Sequence, residues 1–196
     1  MHHRLAALAL VFLTNFVFAP AARSADAQVP AFKEPPFVLP APTELNRLKT
    51  AVIETNRGTI RFKLFPQEAP WHVANFKYRA DKGLYKNVVF HIFHPDYIIQ
   101  AGAAAPHPDA SADYSLPAEF NQHQHLFGAL GMARRADFAN PERRSSGNQF
   151  HILLGDSSHM NGAFTVFGQA IEGLDVLEKL GLGDVVKNVT VYVTPD

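Results

Sequence analysis

Residues Ala51–Gly83, AVIETNRGTIRFKLFPQEAPWHVANFKYRADKG, carry two hydrophobic periods in succession. Val52 and Ile53 run into the turn Glu54-Thr55-Asn56-Arg57-Gly58, and beyond it Ile60, Phe62 and Leu64 alternate with Arg61, Lys63 and Phe65. That is the pattern of a β-hairpin with one buried face. Pro66-Gln67-Glu68-Ala69-Pro70 ends the second strand, after which Val73, Phe76, Lys77 and Ala80 fall at helical spacing and Gly83 stands where a C-terminal cap belongs. A helix of about 12 residues is expected.

Toward the C-terminus, Val88–His94, Tyr97–Gly102, Phe127–Ala133, Phe150–Leu154 and Thr165–Ile171 read as strands, each bounded by Gly, Pro, Asn or Asp. A second helix is expected at about Leu174–Leu180, ahead of a last strand at Val185–Val193. Two helices are too few to supply the crossovers of a parallel sheet. An antiparallel sheet of about eight strands removes its exposed edges by closing. The expected fold is therefore mainly β, a closed eight-stranded antiparallel β-barrel capped by two α-helices.

Toward the N-terminus the composition changes. Residues 28–46 contain Pro30, Pro35, Pro36, Pro40 and Pro42 with little apolar period, so this stretch reads as a stiff proline-rich linker. A second reading is a ligand for a proline-binding site, its own or a neighbour's. Residues 1–27 open on His2, His3 and Arg4, continue through the apolar run Leu5–Leu13, and offer small residues for cleavage after Ser24 or after Ala27. This is the pattern of a secretory signal peptide, and the run is short for a membrane span; an uncleaved amphipathic anchor is the alternative. The expectation is an exported, periplasmic protein with no stable membrane insertion after cleavage, and a single domain over residues 47–196.

Composition narrows the function classes. The chain has 18 Lys+Arg against 18 Asp+Glu; removing Arg4, Arg23 and Asp26 with the leader leaves 16 against 17. Nothing in that balance points to nucleic acid. With 47% apolar and 18% charged residues, intrinsic disorder is excluded. The absence of cysteine excludes disulfides, thiolate metal sites and a cysteine nucleophile.

Four stretches carry a resemblance: Ala51–Phe76, Val89–Gly102 (VFHIFHPDYIIQAG), Gly131–Ile152 (GMARRADFANPERRSSGNQFHI) and Leu154–Gly168 (LGDSSHMNGAFTVFG). In order and separation they resemble the cyclophilin family of peptidyl-prolyl cis-trans isomerases, from about Lys49 to the C-terminus. The resemblance implies a barrel with a shallow outer groove that receives proline in an extended peptide, using no cofactor and no metal. It puts Tyr97, Ile98, Gln100, Ala133, Gln149, His151, Met160 and Phe164 in that groove, with Arg134 on its border, and makes Gln100, His91 and Ile92 the catalytic positions, His91 as a packed polar residue. Gln100, Ala133 and Gln149 are the family's own residue types. Tyr97 replaces a phenylalanine, and Phe164 stands where histidine or tyrosine is usual.

The implied chemistry is modest. Rotation about an X-Pro bond faces a barrier of about 18–20 kcal/mol because the amide loses resonance as it twists. In the twisted form the prolyl nitrogen becomes basic, so a donor aimed at it acts only at the transition state. The family supplies that donor as an arginine two residues after the phenylalanine of its Phe-His pair. Here Phe90-His91 is followed by Ile92, which donates nothing. Loss of a charge-assisted bond of about 1.5–3 kcal/mol corresponds to a roughly ten- to hundred-fold slower rate. Strand alternation puts Phe90, Ile92 and His94 on one face and His91 and Phe93 on the other, which makes His94 a candidate replacement donor; Arg134 and Arg135 are two more.

Other signals weigh less. The ten histidines, among them His91-x-x-His94, His123-x-His125, His151 and His159, lack the spacing and carboxylates of a metal site, and His123 and His125 are expected in a solvated loop. Arg134, Arg135, Arg143 and Arg144 make one loop basic, either merely solvated or selective for acidic neighbours of the target proline or anionic lipid. Asn188-Val189-Thr190 fits a glycosylation sequon but falls inside the last expected strand. Two functions are expected in order: an isomerase acting on X-Pro bonds of exported proteins, monomeric and assisting their folding, or a weakly active proline-peptide binding module, with Ile92 the residue that separates them.

Overall fold

The computed structural model describes residues 33–103, 112 and 114–195; both expected cleavage sites lie outside them. In chain order the elements are α1 (Pro42–Leu45), β1 (Thr50–Thr55), β2 (Thr59–Leu64), α2 (Pro70–Asp81), β3 (Val88–Val89), β4 (Ile92–His94), β5 (Ile98–Ala101), β6 (Ser115–Leu116), β7 (Ala129–Met132), β8 (Ser145–Ser146), β9 (Phe150–Leu153), β10 (Val166–Glu172), α3 (Leu174–Leu177) and β11 (Val185–Tyr192).

The hairpin β1–β2 forms as its period requires: Glu54 pairs with Thr59, Ile53 with Ile60 and Ala51 with Phe62, and Ile60, Phe62 and Leu64 are all buried. Pro70 opens α2, where its missing N–H costs nothing. Gly83, at φ 66°, ends it in the left-handed conformation that L side chains resist. The helix lays Val73, Phe76 and Ala80 into the core. There Phe76 meets Phe150 at 5.7 Å and Phe167 at 5.3 Å between ring centroids, and Tyr85 meets Phe150 edge-on at 5.4 Å.

Nine strands form one curled sheet, in the order β3-β11-β1-β2-β10-β7-β9-β5-β4, with every pairing antiparallel. The count exceeds eight because the expected strand Val88–His94 divides. Phe90 N–H donates to Asp184 O at 2.8 Å on the β11 side, whereas His91 N–H donates to Gln100 O at 3.1 Å on the β5 side. The chain changes partners between these two residues.

Among the described residues three helices replace the two expected, and β6 and β8 form a separate two-stranded ladder. A single turn such as α1 and a pair of two-residue strands are too short to show a period. The second expected helix shortens to Leu174–Leu177. The described part of the proline-rich stretch lies on the domain: Phe37 stacks on Tyr78 at 5.2 Å and meets Trp71 at a tilt, 5.9 Å between centroids, and Leu45 belongs to the core together with Leu48 just beyond the stretch.

Candidate functional site

On β5, Ile99 and Ala101 face the main core, so the pleat turns Ile98 and Gln100 outward. Register carries that outer face across the sheet. Ile92 sits opposite Gln100 and His94 opposite Ile98 on β4; His151 sits opposite Gln100 on β9, with Gly131 next to it on β7. Gln100 Nε2 donates to Gln149 Oε1 at 2.7 Å. Ala133 N–H donates to Gln149 O at 2.9 Å, and Ala133 O accepts from Ser146 N–H at 2.8 Å. One wall is thus two bonded amide side chains and a strand-like rim.

The other wall is apolar. Ile98, Leu153, Met160 and Val166 form a second buried cluster, with Tyr97 and Phe164 packed against it. The Tyr97 hydroxyl lies 3.3 Å from His159 Nε2 and 3.6 Å from Met160 Sδ. His151 is enclosed beneath, and a Cβ on Gly131 would overlap its Nε2. The His151 ring lies 6.3 Å from His125, and Phe164 meets both edge-on, at 6.0 and 6.4 Å. Burial first, then the proximity of His125, lowers the His151 pKa to about 3, so its imidazole is neutral. Burial lowers His125 as well, opposed by its bond to Asn161.

Arg134 closes the apolar end. Its guanidinium carbon lies 4.7 Å above the Phe164 ring, a cation–π contact. Nε donates to Ala163 O at 2.6 Å, and Nη1 donates to Asp137 Oδ1 at 2.5 Å and Arg135 O at 3.0 Å. With 6% of the side chain exposed, Arg134 is held flat on the wall, unlike a side chain poised to swing toward Ile92.

The structure thus brings together Ile92, Tyr97, Ile98, Gln100, Ala133, Arg134, Gln149, His151, Met160 and Phe164. Two expectations are corrected. Phe90 does not share a face with Ile92 and His94: it is fully buried in the core, because the partner change at His91 inserts an extra residue and resets the alternation, as in a β-bulge. His125 is not a solvated loop residue: it is 1% exposed, with Nδ1 3.0 Å from Asn161 Oδ1. No signal in the sequence joins it to His151, 26 positions away. Both ring nitrogens of His91 are buried without a partner among the described residues, and His94 is exposed, its ring 6.2 Å from Tyr97. His123 stacks on Phe65 at 3.6 Å, and Phe65 belongs to the same buried cluster as Ile98 and Met160.

The model of the cyclophilin-type peptidyl-prolyl cis-trans isomerase family matches residues 50–194. A Synechococcus elongatus peptidyl-prolyl cis-trans isomerase is 34% identical over 143 residues, 72% of this chain and 94% of that protein. Peptidyl-prolyl cis-trans isomerase B of Bacillus subtilis is 35% identical over 134 residues, 67% of this chain and 90% of that protein. The crystal structure of a Cryptosporidium parvum cyclophilin-type isomerase superposes with a TM-score of 0.68 at 24% identity, covering 75% of this chain and 99% of that one; it was also solved in the presence of the dipeptide Ala-Pro. The fold is that of the cyclophilins. The chain belongs to the cyclophilin-type peptidyl-prolyl cis-trans isomerase family, and its activity class is isomerisation of X-Pro bonds.

Proposed function

We propose that this chain isomerises X-Pro bonds of exported polypeptides in the groove between Gln100 and Phe164, at a rate limited by Ile92. No bond breaks and no electron moves in the reaction, so the residues need only grip the ring and favour the twisted amide over both planar forms. Ile98 and Met160 give the proline ring apolar surface. Gln100, fixed by Gln149, orients a peptide carbonyl. The observation that carries the reading is the pairing of Ile92 with Gln100: the position beside the orienting amide is occupied by a side chain with no donor. His94 projects on the same face, and Arg134 is committed to Ala163 and Asp137.

The test is an isomerisation assay with a short Ala-Pro peptide. Ile92→Arg is expected to raise kcat/KM about ten- to a thousand-fold with little change in peptide affinity, because the added bond acts only on the twisted amide. Peptide binding without catalysis in the wild type would instead support the binding-module reading. A wild-type rate abolished by His94→Ala, Arg134→Ala or Arg135→Ala would give the donor role to that residue.

Three further readings accompany this one. β3 and β4, the two ends of the strand order, are joined by Phe90-His91 alone, which supports a closed barrel of eight strands with β3–β4 counted as one; fast amide exchange at Phe90 and His91 would argue against closure. The leader supports export to a periplasm-like space, checked by N-terminal sequencing after Ser24 or Ala27, with Met1 retained in a membrane pellet as the contrary result. A monomer belongs to the same reading, checked by sedimentation.

A further inference from the structure

Between Ala133 and β8 the chain makes a loop whose base is closed by Ser146 N–H on Ala133 O. Its interior is built. Asp137 accepts from Arg134 at 2.5 Å and from Arg143 Nη2 at 2.7 Å, and these two bonds, the first foremost, hold its carboxyl below the usual range. Asn140, 1% exposed, donates to Arg144 O at 2.8 Å and accepts from Arg144 N–H at 3.0 Å. Arg143 takes a φ of 54°, uncommon for a non-glycine residue. At the apex of this tied loop, on a single 3₁₀ turn, Phe138 is 91% exposed. A large apolar side chain held in water by so ordered a frame is in place for a contact.

We propose that Phe138 is a second binding point for the client polypeptide, taking a large apolar side chain four or five residues from the target proline, with acidic neighbours favoured. The proposal rests on the groove reading. Continuity with the groove supports it: Asp137 is bonded to Arg134, and Arg134 lies on Phe164 of the apolar wall. An extended peptide covers about 3.3–3.6 Å per residue, so a spacing of four or five residues puts the two contacts roughly 13–18 Å apart. Charge sets the preference. Residues 134–144 hold Arg134, Arg135, Arg143 and Arg144 against Asp137 and Glu142, and 43% of the Arg143 side chain is exposed. A polypeptide is favoured over a membrane because one phenylalanine is too weak an anchor alone. It becomes effective when its partner is already tethered and the second contact is intramolecular.

The experiment uses the full chain and two proline peptides of equal length and charge, one with a leucine four or five residues from the proline and one with serine there. The leucine peptide is expected to show a KM three- to tenfold lower, and Phe138→Ser is expected to remove that advantage. Equal KM values for the two peptides, or an advantage that survives Phe138→Ser, overturn the proposal. Binding to vesicles of 30% anionic lipid that Phe138→Ser abolishes, with no effect on either peptide, reassigns the residue to a membrane and also overturns it. Failure of the wild type to bind either peptide removes the groove reading itself, and this proposal with it.

Discussion

His151 is enclosed below the groove with Nε2 unpartnered among the described residues, a site that suits a neutral imidazole and strips an imidazolium of its hydration. The pKa is about 3 in the folded chain and about 6.5 when unfolded. On acidification the unfolded chain therefore binds the proton first, and stability falls. The contribution is complete above the unfolded value and is lost as pH drops from about 6.5 toward 3, amounting to about 2 kcal/mol between pH 7 and 5. His125, shifted in the same direction, adds to the loss. Urea midpoints measured at pH 7 and pH 5 should separate in the wild type and draw together in His151→Gln; an unchanged separation would assign the acid sensitivity to other groups.

The helix that covers one side of the curled sheet depends on a residue far from it in sequence. Ala69, at the start of α2, makes no side-chain capping bond. Glu119 supplies the cap from a distant loop, accepting from Trp71 N–H at 3.0 Å and His72 N–H at 3.1 Å, with His72 Nδ1 at 2.6 Å. Its negative charge also opposes the positive end of the helix dipole. Glu119→Ala should cost about 2 kcal/mol and speed amide exchange at Trp71 and His72; a loss under about 0.5 kcal/mol would show that water replaces the cap. The helix itself is legible in the sequence because Val73, Phe76 and Ala80 share its period, whereas a cap 47 positions away carries no local signal. Strands behave alike. Alternation and flanking turn residues locate β2, β9 and β11, and parity alone places Ile92 and His94 on one face. Parity fails at Phe90, where an inserted residue changes the hydrogen-bonding partner while the residue types stay strand-like.

At the scale of the molecule, the family match begins at residue 50, yet the packed domain begins earlier. Leu45 and Leu48 are each 4% exposed within the main core, and Phe37 covers Trp71 and Tyr78 on α2. Arg47 ties this segment to the C-terminus: its O accepts from Thr194 N–H at 2.8 Å, and its Nε donates to Thr194 O at 2.9 Å. The prolines make the stretch look like a spacer, since their spacing shows no period, but a rigid extended segment also loses little entropy on docking. Burying two leucines contributes about 3–6 kcal/mol, a large share of the roughly 5–15 kcal/mol that holds a domain folded. A chain that starts at Lys49 should therefore lose about that much, seen as a lower urea midpoint and, because less surface is buried in the native state, a smaller slope. Phe37→Ala in the full chain should lower the midpoint by less and leave the slope unchanged. If the truncated chain unfolds at the wild-type midpoint, the segment is a cover that the curled sheet does not need, and the stabilising core begins where the family match does.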